Sequence, residues 1–299
     1  MEENETRVEK QKEIVKEIER EKRKDKNKII FKVLFWIFMP LFVFFALSYT
    51  MLRYVGNMGI IVKEHPLYYD NLPLNLDGLK VVHFTDIHYN QHISSNKIKD
   101  MVDLINKANP DLVVFTGDLI DKDYIPNSSD LKMLTSELNR INVKVGKYAI
   151  KGEDDDIYFK NVFDNTDFII LDNTIQKVYI DSSVIDLIAV DESYDVNSLS
   201  LRNLDNFGIT LVHKPDLADK IVDDFSPNII MAGHSHNGQV VLPVIGSVMH
   251  KEGSKKYYSS YYKIRNTDLY ISGGIGNSYY QFRLFNHPSI NFYRIRVSK

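Results

Sequence analysis

The sequence predicts an α/β domain with a substantial mixed sheet, preceded by one membrane-spanning helix. Three observations carry this. The runs VVHFT (81–85), LVVFT (112–116), ITLV (209–212) and NIIMA (228–232) are β-branched-rich and nearly unbroken in apolar character, as strands buried on both faces are. Helix-like stretches alternate with them. Near the N-terminus, residues 33–52 run for twenty positions without a charge.

Composition narrows the function. The 299 residues, 44% of them hydrophobic, suffice for at least one sizeable core. A net charge of −3 offers no global field for a polyanion, so no nucleic acid partner is expected. The absence of cysteine excludes disulfides, thiolate zinc sites and a cysteine nucleophile.

Residues 1–28 read as a charged cytoplasmic tail, with ten Lys or Arg and nine Asp or Glu between 2 and 28. Pairs such as Glu17 and Arg20, or Glu21 and Lys24, stand three apart, where opposite charges meet on a helix. A solvated helix or a disordered tail fits this composition, and as a helix it is a surface for a cytoplasmic partner. Residues 29–53 read as a transmembrane helix. The twenty-residue uncharged run, at about 1.5 Å per residue, spans about 30 Å, the hydrocarbon thickness of a bilayer. Pro40 is tolerable in such a helix. A cleaved signal peptide is the rival, since Ala46 and Ser48 resemble a cleavage site, but the long preceding segment and the length of the run argue for an anchor. Arg20, Lys22, Arg23, Lys24, Lys26, Lys28 and Lys32 precede the run, while Arg53 and Lys63 follow it, which puts the N-terminus in the cytoplasm and the remainder outside the cell membrane.

After a linker over 54–67, residues 68–299 form one domain without repeats. Between the first two strands lies SSNKIKDMVDLINKANP, with serines to cap its start and Pro110 beyond its end. SSDLKMLTSELNRI and KPDLADKIVDDF are further helices, and 168–190 turns to strand and turn. The strand ends carry the chemistry. They present Asp86 and His88 in TDIH, Asp118 and Asp121 in TGDLID, the acidic KGEDDD at 151–156, His213, then His234 and His236 in GHSHNGQ. Open sheets place ligands outside strand ends, and carboxylates with imidazoles suit manganese, iron or zinc.

TDIH, TGDLID, a glycine with a polar pair, VH and GHSHNGQ, in this order and spacing, resemble the calcineurin-like metallophosphoesterase family, and more narrowly its membrane-anchored or exported bacterial branch. LPVIGS through YISGGIGNSYYQFR fits that branch, and the resemblance covers nearly all of 68–299. It implies a four-layer αββα sandwich with two divalent metal ions at its rim. By position, Asp86, His88 and His236 would bind the first ion and His213, His234 and Glu153 the second, with Asp118 as the catalytic bridge between them. The implied activity is hydrolysis of phosphodiester or phosphoanhydride bonds, with lipid-linked diphosphates attractive for a membrane-anchored enzyme.

The family pattern at KGEDDD is G-N-H-D or G-N-H-E, and this chain departs from it. Glu153 replaces an asparagine ligand, so three carboxylates face two dications, for tighter cation binding and a weaker pull on phosphate. Asp154 replaces a histidine near the leaving group and is the second catalytic candidate, acting as an acid only if its pKa is raised. Asp155 and Asp156 read as supporting or solvated residues. The alternative function is a catalytically impaired metal- or phosphate-binding sensor or scaffold. Asp121 reads as a turn residue, Gln239 as an orienting one and His83 as packed inside. His65, His92, His250 and His287 default to the surface. Arg283 and Asn277 offer phosphate contacts, with an exposed arginine as the commoner outcome. Tyrosines 257, 258, 261, 262, 279 and 280 offer a lipid- or substrate-facing surface that strand packing explains as well.

Overall fold

A computed structural model of the protein describes residues 2–191, 193, 204–242, 244–248, 250–278 and 281–298; Tyr279 and Tyr280 lie outside them. The chain divides into two compact units, Met1–Met51 and Leu52–Lys299. The described residues of the first are helical throughout. Its helix α1 (Glu2–Arg53) runs unbroken through Pro40, so the charged tail takes the helical of its two readings. Trp36 and Phe42 are 71% and 72% exposed, and α1 is long and apolar enough to cross a membrane. Such a band has no polar face to turn to water.

In the second unit the strands are β1 (Ile61–Tyr69), β2 (Leu79–Phe84), β3 (Leu112–Phe115), β4 (Gly146–Ala149), β5 (Phe168–Ile170), β6 (Thr174–Ile180), β7 (Ser183–Val190), β8 (Phe207–Val212), β9 (Ile229–Ala232), β10 (Val241–Leu242), β11 (Gly246–Ser247), β12 (Tyr261–Ile264), β13 (Thr267–Ile271) and β14 (Ser289–Val297). The helices are α2 (Ser95–Ala108), α3 (Ser128–Asn139), α4 (Ile157–Phe163) and α5 (Ala218–Phe225). One six-stranded sheet has the order β1-β14-β2-β3-β4-β5, the other β12-β13-β9-β8-β7-β6.

Three apolar clusters define four layers. Val82, Phe84, Val113 and Phe115 face α2, α3 and α4. Val81, Leu112 and Val114 on their opposite side meet Leu187, Ile209, Leu211 and Met231 of the second sheet. Ile188, Val212 and Ile230 on the far face pack on Ile221 and Phe225 of α5. Both faces of each sheet are therefore covered, which is why these strands read as continuous apolar runs. Ser94 caps α2 by accepting from Lys97 N, and Asn127 with Asp130 forms a capping box on α3.

The linker expected over 54–67 is corrected. Residues 61–69 form β1, paired in parallel with β14 from Ile61↔Ser289 to Tyr69↔Val297. The surface reading of His65 is corrected with it: its ring lies between Tyr270 and Tyr293, with centroids at 5.0 and 5.2 Å.

Parallel register positions the site. Phe84 pairs with Phe115 and Phe115 with Ala149, so the loops after β2, β3 and β4 leave the first sheet side by side. Val212 pairs with Ala232, which does the same for the loops after β8 and β9.

Candidate metal centre

These five loops meet at one rim through specific backbone contacts. His234 N donates to both carboxylate oxygens of Asp86, at 3.1 and 3.0 Å, joining the sheets. The intervening Gly233 is required, because a Cβ there would lie 2.3 Å from Thr85 Oγ1 and 2.5 Å from Asp86 Oδ2. On the other side Gly117 meets Gly152, where a Cβ on Gly152 would lie 2.2 Å from Asp118 Oδ1. The backbone is strained at the candidate ligands themselves: Asp86, His88, Asp118, His234 and His236 all hold φ between 42° and 66°, the left-handed region. Such conformations cost energy and collect at functional sites.

The donor atoms of Asp86, His88 and His236 lie within 4.8 Å of one another, as do those of Asp118, His213 and His234. Asp118 belongs to both halves. Its Oδ1 accepts from Asp154 N at 3.0 Å, while its Oδ2 sits 3.4 Å from His88 Nε2 and 3.1 Å from His213 Nε2. The two halves hold their imidazoles differently. His213 Nδ1 donates to Thr116 O at 2.7 Å and His234 Nε2 to Glu252 O at 2.6 Å, so each fixed ring turns its other nitrogen to the centre. In the first half, His88 Nε2 and His236 Nε2 are 3.1 Å apart, and His236 Nε2 is 3.2 Å from Asp86 Oδ1. Behind them Arg283 Nη2, which can only donate, points at His236 Nδ1 from 3.2 Å. That contact leaves the proton of a neutral His236 on Nε2, facing Asp86.

Divalent cations fit these donors. Asp118 Oδ2, His213 Nε2 and His234 Nδ1 are buried without a hydrogen-bond partner, as is His88 Nδ1, and buried polar atoms are ordinarily satisfied. Burial alone would neutralise His213, but the adjacent Asp118 carboxylate overrides it and pushes the imidazole up to about 10. Against its own burial, His213 holds Asp118 well below the usual carboxylate range. Burial brings His236 down to about 3 and His234 down to about 4, with His213 adding to the latter. The half-buried Lys251 also disfavours a proton on His88, His234 and His236, placing a positive charge near the centre.

KGEDDD resolves into four separate roles. Glu153 Oε1 lies 3.3 Å from His234 Nδ1, while its Oε2 pairs with Lys214 Nζ at 2.8 Å. Burial opposes its charge, yet His234 and Lys214 keep the carboxyl below its ordinary range. The extra negative charge expected from Glu153 is thus offset locally by Lys214, which sequence reasoning missed. Its position directly after the candidate ligand His213, in a chain that carries the acidic run at 151–156, was the available signal. Asp154 stands at the rim, its Oδ2 3.6 Å from His88 Nδ1, beyond hydrogen-bonding reach. Burial and then Asp118 push its carboxyl up to about 6. Asp155 accepts from the N–H groups of Asp118, Leu119 and Gly152 at 2.8 to 2.9 Å, fastening the two loops together. Burial and Asp118 push it up to about 7 while two of those amides pull it back. Asp156, expected to be solvated, caps α4 by accepting from Tyr158 N at 2.8 Å.

Arg283 is neither exposed nor a phosphate contact. It is fully buried and donates to Asn277 Oδ1 at 2.8 Å, to Gly273 O at 2.7 Å and to Gly274 O at 3.3 Å. A ring of carbonyls satisfies the guanidinium, so it supports His236 from behind. Gln239 is buried and donates to Phe282 O, Asp121 accepts from Asn90 and its own turn at Asp123 N, and His83 is buried against Thr116 Oγ1 at 2.8 Å. His92 and His287 are exposed, and the exposed His250 stacks on Tyr258 at 4.0 Å. Tyr257 is buried against Tyr262, and Tyr261 bonds Asp268, so these tyrosines serve packing.

A two-sheet sandwich carrying carboxylates and imidazoles on five strand ends defines a metal-dependent hydrolase class. The chain belongs to the calcineurin-like phosphoesterase family, whose sequence model matches residues 79–274, a family of phosphoesterase hydrolases. It is 29% identical over 262 residues to the uncharacterized metallophosphoesterase YkuE of Bacillus subtilis, covering 83% of this chain and 90% of that protein. It is 25% identical over 232 residues to a transmembrane protein with metallophosphoesterase domain from Danio rerio, covering 69% of this chain but 51% of that longer protein. Among solved structures, the calcineurin-like phosphoesterase YfkN from Bacillus subtilis aligns with a TM-score of 0.37 at 12% identity, covering 68% of this chain and 82% of that one.

Proposed function

We propose that this chain is a membrane-anchored phosphohydrolase using two divalent ions, of manganese, iron or zinc type. It cleaves phosphodiester or phosphoanhydride bonds outside the cytoplasm. One observation carries the reading: Asp118 Oδ2, buried and unpartnered, sits between His88 and His213 where one oxygen serves both halves. Asp86, His88, Asp118 and His236 would hold one ion, and Asp118, Glu153, His213 and His234 the other. When bound, such ions polarise phosphoryl oxygens and acidify water.

The chain's own residues do the rest. Thr116 O and Glu252 O keep two imidazoles turned inward, and Arg283 braces a third. Asp154 lines a cleft of about 190 Å³ with Asn90, His92, Lys122, Tyr124 and Gln281, a polar wall for the leaving side of a substrate. Asp154 is the group placed to pass a proton there. A leaving group that departs as a stable anion asks least of it, so phosphoanhydrides, lipid-linked diphosphates among them, are the favoured class over alkyl monoesters. The apolar run of α1 anchors the chain with its N-terminus in the cytoplasm, leaving the charged residues 2–28 to a cytoplasmic partner.

The test is turnover of bis-p-nitrophenyl phosphate by the full-length protein in detergent with manganese, beside Asp118→Ala and Asp154→Asn. Manganese-dependent hydrolysis lost in Asp118→Ala supports the reading. Folded protein that binds manganese, iron, cobalt or zinc without turnover contradicts it and makes the chain a sensor. Protease protection of intact cells tests the orientation.

A further inference from the structure

Three segments on the centre's flank are joined by backbone hydrogen bonds and carry exposed apolar side chains. Residues 53–58 follow directly on the uncharged run, whose last residue Leu52 is fixed by Arg283 N donating to its carbonyl at 3.1 Å. Asn57 adds bonds to Gln281 O at 3.3 Å and from Asn277 Nδ2 at 2.8 Å. The approach is tight, since a Cβ on Gly56 would lie 2.0 Å from Arg283 O. The β10–β11 hairpin is tied to the same loop by Val241 N donating to Leu284 O at 3.0 Å. On these segments Tyr54, Met58, Val244, Ile245, Val248 and Phe285 are exposed, Ile245 at 73%, Phe285 at 63% and Val244 fully.

The hairpin tip is strained as well as exposed. Val244, a β-branched residue, holds φ at 71°, in the left-handed region. Such conformations recur where a segment contacts a ligand or partner. These segments also border the centre: Arg283 reaches His236, Gln239 N donates to His236 O at 2.9 Å, and Gln281 walls the Asp154 cleft.

We propose that these six side chains dip into the interface of the membrane that the apolar run crosses, holding the Asp154 cleft at the level of lipid headgroups. The proposal rests on the anchor reading above. A bilayer holding the run reaches the chain at Leu52, which is bonded to these segments, and the adjoining Arg53 and Tyr54 are residue types that settle at membrane interfaces. A second copy of the chain is the poorer occupant, because stable protein interfaces engage about 20–30 residues a side and these segments offer six exposed large apolar side chains among the described residues. The phosphates presented to the centre are then those of lipid headgroups.

The absence of native cysteine makes the test direct. Full-length Ile245→Cys, Phe42→Cys and Tyr179→Cys proteins carry an environment-sensitive fluorophore in phosphatidylcholine–phosphatidylglycerol vesicles. They are quenched either by headgroup- and chain-nitroxide lipids or by iodide on both sides. Tyr179 is 70% exposed on β6, at the far edge of the second sheet, and serves as the aqueous control. The expected result is at least about twofold lipid quenching at 245, with iodide protection, and the reverse at 179. Lipid quenching at 42 with iodide quenching at 245 overturns the surface and leaves the anchor. Iodide quenching at 42 overturns both. A label at 245 shielded from lipid and iodide alike, and crosslinking to its counterpart in a second copy, overturns the membrane assignment in favour of self-association.

Discussion

The two halves of the centre use similar ligands but different support. In the half built on His213 and His234, main-chain carbonyls fix both rings by their outer nitrogens, and the inward nitrogens face the carboxylates of Asp118 and Glu153. In the half built on His88 and His236, the ring nitrogens face each other, and Arg283 holds His236 in the tautomer whose proton points at Asp86. A cation entering the first replaces the proton that Asp118 holds on His213 and finds both rings already fixed in the tautomer that binds it, while one entering the second has to displace a proton from a ring whose other nitrogen faces a donor. On the two-ion proposal, the difference predicts that the halves fill in order, His213–His234 first, and that metal uptake in the other half depends on a residue that touches no ion.

The sharpest way to break this comparison is to remove what the halves share. Asp118→Ala should lower turnover by about 10³-fold or more and reduce the bound ions below two, since metal stabilisation of a transition state amounts to several kcal/mol. Unchanged stoichiometry by equilibrium dialysis would show that Asp118 is no bridge. Next in size is Arg283→Met, with Arg283→Lys as the milder change. Ion affinity in the weaker step alone should rise, by about tenfold, because without the guanidinium a neutral His236 can hold its proton on Nδ1 and turn a bare Nε2 to the centre. An equal change in both steps would remove the distinction between the halves.

Glu153→Gln addresses the other half. It leaves Lys214 beside a site that has lost a carboxylate, and the stronger step should weaken about tenfold. Adding Lys214→Met should recover part of that loss, because contacting residues couple non-additively by roughly 0.5–3 kcal/mol. Additive effects in calorimetric titration would mean that the pair does not act together. The smallest effect lies outside both halves, at His83. Burial depresses its pKa to about 3, so it folds neutral. Below its unfolded value of about 6.5 the unfolded chain binds the extra proton, and stability falls as pH drops from there toward 3. His83→Gln should flatten that limb in urea unfolding at several pH values; an unchanged slope would assign the acid sensitivity elsewhere.

Much of the site was legible because its donors hang on apolar runs. VVHFT, LVVFT and NIIMA announce buried strands, and Asp86, Asp118 and His234 follow each within a few residues, so strand polarity alone gathers them. β1 was not legible. Its residues include Lys63, Glu64, His65 and Pro66, and its partner β14 lies more than two hundred residues away, so no local pattern reveals the pairing. Arg283 misled because a lone cation in a polar loop reads as surface, whereas the carbonyls that satisfy it exist only once the 273–276 loop has folded around it. KGEDDD failed as a motif for a similar reason. Its four acids serve a lysine, a cleft, three amides and a helix end, and those partners come from separate elements.

The central claim, a two-ion hydrolase whose halves differ in readiness, is tested most directly by titrating metal-free full-length protein with manganese while following binding and hydrolysis of bis-p-nitrophenyl phosphate in the same samples. The account predicts two ions per chain bound in separable steps, with turnover rising in the second and with Arg283→Lys shifting that second step alone. Two ions bound without turnover, or a single step that carries both ions and all the activity, would contradict it.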